Sequence, residues 1–271
     1  MTKTLERLYR RITWRSRALP DFIVAGAMKS GTTSLFSNMA QHPDIFPTNK
    51  KEVHFFDGGL SPSVDTYRRG EAWYRTHFPL RKEMGAGAKA FEASPLYMFN
   101  PLAAERIAAL LPEVRIIIAL RNPTDRAISH YFHEKRKGRE PLPISEALHG
   151  EEKRLERALK EKNYKDHSFI HHSYKARGMY CGQLERFFKV IPRERMLILN
   201  SSDVFADAEG TLRRVLEFVG VEASVKGANL EAQNVAANKS DVDAEVYRYL
   251  DDHFASENQR LYELLGEDFG W

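Results

Sequence analysis

Short branched apolar runs alternate along the chain with stretches of helical period. The runs at 22–25, 116–120 and 196–199, with a weaker one at 89–91, are too short for buried helices, which marks them as interior strands. Helical spacing follows the first of them over 32–41. Asn100 with Pro101 predicts a capped helix start running to Leu111, and Asn122 with Pro123 repeats the signal ahead of a helix to about Lys137. Residues 178–191 read as a helix, 211–219 as a helix closed by Gly220, and 241–265 as a long C-terminal helix. The stretch 144–175 is dense in charge and His and reads as a solvated helix plus a loop with the character of a lid. Strands alternating with helices predict an α/β fold, a central mainly parallel sheet flanked by helices. No repeat, low-complexity tract or linker interrupts it, so one domain is expected over 20–271, preceded by a basic arm at 1–19.

Composition narrows the class. A chain of 271 residues, 42% hydrophobic and 29% charged, can bury a full core. No apolar run approaches the roughly 18 residues that span a bilayer. The lone Cys181 can close no intramolecular disulfide and no structural zinc site, and the N-terminus lacks an apolar signal core, so a cytoplasmic location is expected. The formal charge of +4 is concentrated in the arm, where Lys3, Arg7, Arg10, Arg11, Arg15 and Arg17 face Glu6 alone. The near-neutral remainder lacks the broad basic surface of a nucleic-acid binder. Leu5, Leu8, Tyr9 and Ile12 share a helical face, so the arm reads either as a docked terminal helix or as an amphipathic helix for peripheral membrane contact.

The sharpest local signal is 22–33, Phe-Ile-Val-Ala-Gly-Ala-Met-Lys-Ser-Gly-Thr-Thr. A strand, a glycine turn and a helix start in that order aim backbone N–H groups and the positive end of a helix at an anion. It is like a Walker A loop, but that pattern needs Lys directly after the second glycine, where Thr32 stands; Lys29 comes two residues before Gly31. The strand ending at Leu120 continues into Arg121 instead of a magnesium-binding Asp. Phosphate binding by Lys29, Ser30, Gly31, Thr32 and Thr33 without metal-dependent NTP hydrolysis is expected. Arg121 at a strand end and Ser129 two turns into the next helix form a second set, a charged fork and a hydroxyl suited to a phosphate monoester. Two separated phosphates on one ligand are implied. A small-molecule P-loop kinase and a non-catalytic nucleotide-binding module are the alternatives.

Three segments, 20–34, the Lys-Glu-Val-His-Phe-Phe-Asp of 51–57 and 121–131, resemble the sulfotransferases that use 3′-phosphoadenosine 5′-phosphosulfate (PAPS), in the branch of heparan sulfate N- and 3-O-sulfotransferase domains and their bacterial relatives. The likeness continues through 178–187, 196–203 and 258–271. It implies PAPS as co-substrate with no metal, the first loop on the 5′-phosphosulfate, Arg121 and Ser129 on the 3′-phosphate, and Glu52 as catalytic base. Those enzymes carry Glu-Lys-Thr/Ser-Pro, with the Lys at the acceptor site, where this chain has Glu92-Ala93-Ser94-Pro95. Their late Gly- and Lys-rich nucleotide loop has its positional counterpart at 234–240, containing Lys239.

The residues themselves fit that chemistry. Sulfuryl transfer needs a base for the acceptor proton and a cation for charge growing on the leaving phosphate. Lys29 is placed for the second task. Glu52 suits the first, since apolar neighbours such as Phe55 and Phe56 raise a carboxylate's proton affinity; the alternative is a surface ion pair with Lys50 or Lys51. His54 shares a face with Glu52 if the segment is extended, where it orients acceptor or sulfonate, or is a structural His. The expected reaction is transfer to a hydroxyl or amine of a carbohydrate or carbohydrate-bearing small molecule. Tyr97, Tyr131, Tyr180 and the basic stretch 133–139 are candidates for the acceptor side, with packing and solvation as the alternatives.

Overall fold

The computed structural model describes residues 3–224 and 242–271, so Lys239 and the rest of 234–240 lie outside the described residues. Five strands, β1 (Phe22–Gly26), β2 (Ile45–Pro47), β3 (Lys89–Ala93), β4 (Arg115–Leu120) and β5 (Met196–Asn200), form one sheet in the order β2-β3-β1-β4-β5. Every pairing is parallel, with Ile23 opposite Glu92 on one side of β1 and opposite Ile116 on the other. The expected mainly parallel sheet is therefore wholly parallel.

Successive side chains of a strand point to opposite faces. Ile23, Ala25, Ile116, Ile118 and Leu120 thus enter one core, with Phe55, Phe56, Tyr74 and Leu184, while Phe22, Val24, Ile117 and Ala119 enter another, with Leu35, Phe91 and Leu216. Both faces are covered, which explains the unbroken apolar runs. Full burial of each of the larger of these side chains contributes about 1.5–3 kcal/mol.

The helices are α1 (Lys3–Ile12), α2 (Thr32–Met39), α3 (Gly70–Arg75), α4 (Leu96–Phe99), α5 (Ala103–Leu110), α6 (Pro123–Arg136), α7 (Ile144–His149), α8 (Glu151–Lys160), α9 (His167–His171), α10 (Tyr180–Phe188), α11 (Ser201–Ala206), α12 (Ala208–Val219) and α13 (Ala244–Leu265). Asn122 caps α6 as expected, accepting from the Asp125 N–H at 3.3 Å with Pro123 in the first turn. Gly220, at φ 77°, closes α12.

Two expectations need correction. The helix expected to run to Leu111 is present as α5, but Asn100 does not cap it: Asn100 ends α4, and its side chain accepts from the Leu102 N–H at 2.9 Å in the turn before α5. The 144–175 stretch is not merely solvated: Leu148, Leu155, Phe169 and Tyr174 are buried there, as are Glu151 and Lys175. Glu151 accepts from the N–H groups of Lys175 and Ala176 at 2.6 and 2.8 Å, which allows a carboxylate inside.

The arm is docked on one side. Arg10 donates to the Thr76 carbonyl at 3.0 Å and Arg17 to that of Phe78 at 2.7 Å, while Leu5, Leu8 and Ile12 remain exposed. No described helix is long and apolar enough to cross a membrane.

Candidate active site

In a sheet ordered β2-β3-β1-β4-β5, the chain leaves β1 toward one edge and β4 toward the other. The crevice opens at the carboxyl ends of those two strands, where open parallel sheets bind ligands. The turn after β1 and Arg121 after β4 both lie there.

Two glycines shape the turn. A Cβ on Gly26 would stand 2.6 Å from the Cβ of Met98, so only glycine permits this approach of β1 to α4. Gly31 adopts φ 81° and hands the chain into α2. Lys29, also left-handed at φ 71°, lies between them. Arg121 Nη1 donates to the Lys29 carbonyl at 3.2 Å, tying the end of β4 to the turn after β1. The Arg121 carbonyl accepts from Tyr180 Oη at 2.8 Å, and Arg121 Nη2 lies 3.7 Å from Asp125. Ser129 is buried on α6.

The turn is electropositive. Burial lowers the Lys29 ammonium below its ordinary value, and the charges of Arg136 and Arg121 lower it further. Cations gathered this closely repel one another unless an anion joins them.

The 51–57 segment runs alongside. Lys51 Nζ lies 3.3 Å from Thr33 Oγ1 and 3.4 Å from Glu52 Oε1, bridging the turn to the carboxylate. Glu52 Oε2 lies 3.1 Å from His54 Nε2, and His54 Nδ1 lies 2.6 Å from Asp57 Oδ2, giving a carboxylate–imidazole–carboxylate row. Burial alone would depress the imidazole, but the hydrogen bonds of Asp57 and Glu52 and their charges push it up to about 9.

The structure changes two readings here. The segment is not extended: Glu52 and His54 adopt φ of 29° and 55°, yet their side chains still meet. The proton affinity of Glu52 is not raised. Burial pushes it up, but the His54 hydrogen bond and the Lys51 charge prevail and hold it below the usual carboxylate value. The ion pair with Lys51, the alternative to a catalytic role, and the contact with His54 thus occur together.

Among the described residues only four non-glycines take positive φ, and Lys29, Glu52 and His54 are three of them. Such conformations gather where surrounding structure enforces a functional geometry.

The aromatic candidates are engaged internally. Tyr131 Oη donates to the Leu142 carbonyl at 2.9 Å, Tyr180 Oη to Arg121, and Tyr97 is buried with its hydroxyl on Glu92. In the basic stretch Lys135 donates to the Pro141 carbonyl at 3.0 Å and Arg139 pairs with Glu134. Asp57 and Lys51 gain roles that spacing alone did not assign. The signal for Asp57 was its position three residues after His54.

Known proteins place this geometry in a family. The description "Sulfotransferase domain" matches residues 19–257. The mouse heparan sulfate glucosamine 3-O-sulfotransferase 3A1 is 29% identical over 94% of this chain and 65% of its own length. The bovine bifunctional heparan sulfate N-deacetylase/N-sulfotransferase 2 is 24% identical over 91% of this chain, which spans only 29% of that protein. This chain thus spans less than two thirds of these relatives. A sulfotransferase from Alicyclobacillus acidocaldarius superposes with a TM-score of 0.74 at 31% identity, covering 93% of this chain and 97% of the other. The match runs through the turn after β1, the 51–57 row and Arg121 alike, and the chain belongs to the sulfotransferase family.

Proposed function

We propose that the protein moves a sulfuryl group from PAPS to a hydroxyl or amine of a carbohydrate or carbohydrate-bearing small molecule, with Glu52 as general base and Lys29 at the leaving phosphate. The observation that carries this reading is the gathering of cations around Lys29, with Arg121 bonded to its carbonyl at 3.2 Å and the Arg136 charge acting on its ammonium, at the turn after β1. That cluster fits a polyanion. Bound PAPS would supply the activated sulfuryl group and adenosine 3′,5′-bisphosphate as leaving group.

The residues divide the work. Ser30 precedes α2, Gly31 caps it and Thr32 and Thr33 open it, where N–H groups and the helix dipole favour the 5′-phosphate. Arg121 and Ser129 would take the 3′-phosphate. Lys29 neutralises charge on the bridging oxygen as the bond to sulfur breaks. Glu52, half-exposed at the rim, receives the acceptor proton, while His54 fixes its orientation through Asp57. A carboxylate held below its usual value is ionised at neutral pH, so the base form is always populated. The relatives named for heparan sulfate support a carbohydrate acceptor. Ala93, in place of the Lys those enzymes use at the acceptor site, removes one cation that would favour a polyanionic chain.

Glu52→Gln tests the assignment. It should retain the fold and nucleotide affinity while turnover with any reactive alcohol falls by about a hundredfold to ten-thousandfold. A uniform loss below about threefold on acceptors of differing acidity would return Glu52 to the status of a surface ion-pair partner.

A further inference from the structure

Glu92 lies on β3 with no exposed surface, opposite Ile23 of the central strand. Its carboxylate gathers three hydroxyls. Tyr74 Oη donates to Oε1, Tyr97 Oη to Oε1 and Oε2 at 3.1 and 3.3 Å, and Ser94 Oγ to Oε2 at 3.1 Å. Two of these hydroxyls also accept from the loop that carries the base: the His54 N–H donates to Ser94 Oγ at 3.3 Å and the Phe55 N–H to Tyr97 Oη at 2.8 Å. Tyr74 reaches the same loop through its ring, stacked on Phe55 with centroids 4.4 Å apart. All three donors therefore touch the 52–57 loop.

A fully buried carboxylate is costly, and an apolar side chain would fill the same space without that cost. The group's use lies in what its donors hold. The hydroxyls of Ser94 and Tyr97 each turn the proton toward Glu92 and a lone pair toward a loop amide, so one acceptor sets the direction of both bridges. His54 at φ 55° and Glu52 at φ 29° need such enforcement from outside the loop.

We propose that Glu92 is a positioning residue: through Ser94 and Tyr97 it fixes the amides of His54 and Phe55 and so holds the Glu52–His54–Asp57 row against the phosphate turn. Its effect on turnover rests on Glu52 acting as base; its effect on His54 does not. Burial pushes the Glu92 carboxyl up to about 7, with the three hydroxyl donors pulling it back down. An amide at this position presents a donor on one side and forces one hydroxyl to turn round.

The test is an NMR pH titration of the His54 imidazole in the full chain, for the wild type, Glu92→Gln, Tyr97→Phe and Ser94→Ala. Affinity for adenosine 3′,5′-bisphosphate and the single-turnover rate are measured alongside. The proposal expects the His54 midpoint to fall by about one unit or more toward its ordinary value. The rate should drop by roughly tenfold or more, with nucleotide affinity held within about twofold. Should Glu92→Gln fail to fold, the Tyr97 and Ser94 variants, each removing one bridge, decide the matter. A His54 midpoint unmoved in the folded variants overturns the proposal. A shifted midpoint with an unchanged rate upholds the positioning and removes Glu52 as the base.

Discussion

His54 Nε2 stands 3.1 Å from Glu52 Oε2, and the relationship makes the protonation of one residue depend on the other. The imidazole, backed at 2.6 Å by buried Asp57, stays cationic up to about pH 9, and its charge keeps Glu52 ionised. A base tuned upward by an apolar wall would gain proton affinity at the expense of being partly protonated. Here the carboxylate gives up affinity for constant availability and a fixed direction.

A stability profile follows from the raised His54. Its value of about 9 in the folded chain exceeds the ordinary 6.5, so the stabilisation is complete below pH 6.5 and is lost as pH rises from 6.5 to about 9. Chemical denaturation of the wild type and His54→Gln at pH 6 and pH 9.5 should show their stability difference shrinking on the alkaline side by on the order of 2–3 kcal/mol. Parallel profiles for the two proteins would mean that His54 is not held protonated by its carboxylates.

Much of the scaffold was legible, because strands buried on both faces need unbroken apolar runs and β1, β4 and β5 have them. β2 escaped notice: three residues ending in Pro47 at the sheet edge carry no such pattern. Asn100 misled because Asx residues serve turns as readily as helix starts, its side-chain oxygen accepting from the Leu102 N–H two residues on. At the site, Lys29 and Arg121 could be singled out because a glycine turn and a strand end are local in sequence, and the structure brings the two into contact. The service of Glu92 to His54 was not, since it joins residues about forty positions apart through Ser94 and Tyr97. Nor could the lowered proton affinity of Glu52 be read, since it depends on a left-handed loop that folds His54 back onto it.

Arg121 should discriminate between nucleotides. Its guanidinium donates to the Lys29 carbonyl and lies near Asp125, and in the proposed function it also takes the 3′-phosphate. Arg121→Ala should weaken adenosine 3′,5′-bisphosphate by roughly 2–4 kcal/mol in calorimetry. Adenosine 5′-monophosphate, lacking the 3′ group, should lose much less, and equal losses for both ligands would refute the assignment.

Lys29 should act chiefly on the transition state. Its ammonium is already destabilised by burial and by Arg136 and Arg121, so it gains most when negative charge grows beside it. Charge on the bridging oxygen is smaller in the bound donor than at the moment the bond to sulfur breaks, so the interaction strengthens along the reaction. Lys29→Ala should therefore lower kcat by about a hundredfold or more, while affinity for the product nucleotide falls less. Removing the cation also relieves repulsion on Arg121, which offsets part of any loss in binding and widens the gap between the two effects. Pre-steady-state kinetics separate chemistry from release; a preserved chemical rate with only a raised KM for the donor would make Lys29 a binding residue and leave the leaving-group charge to Lys51, the other ammonium at the turn.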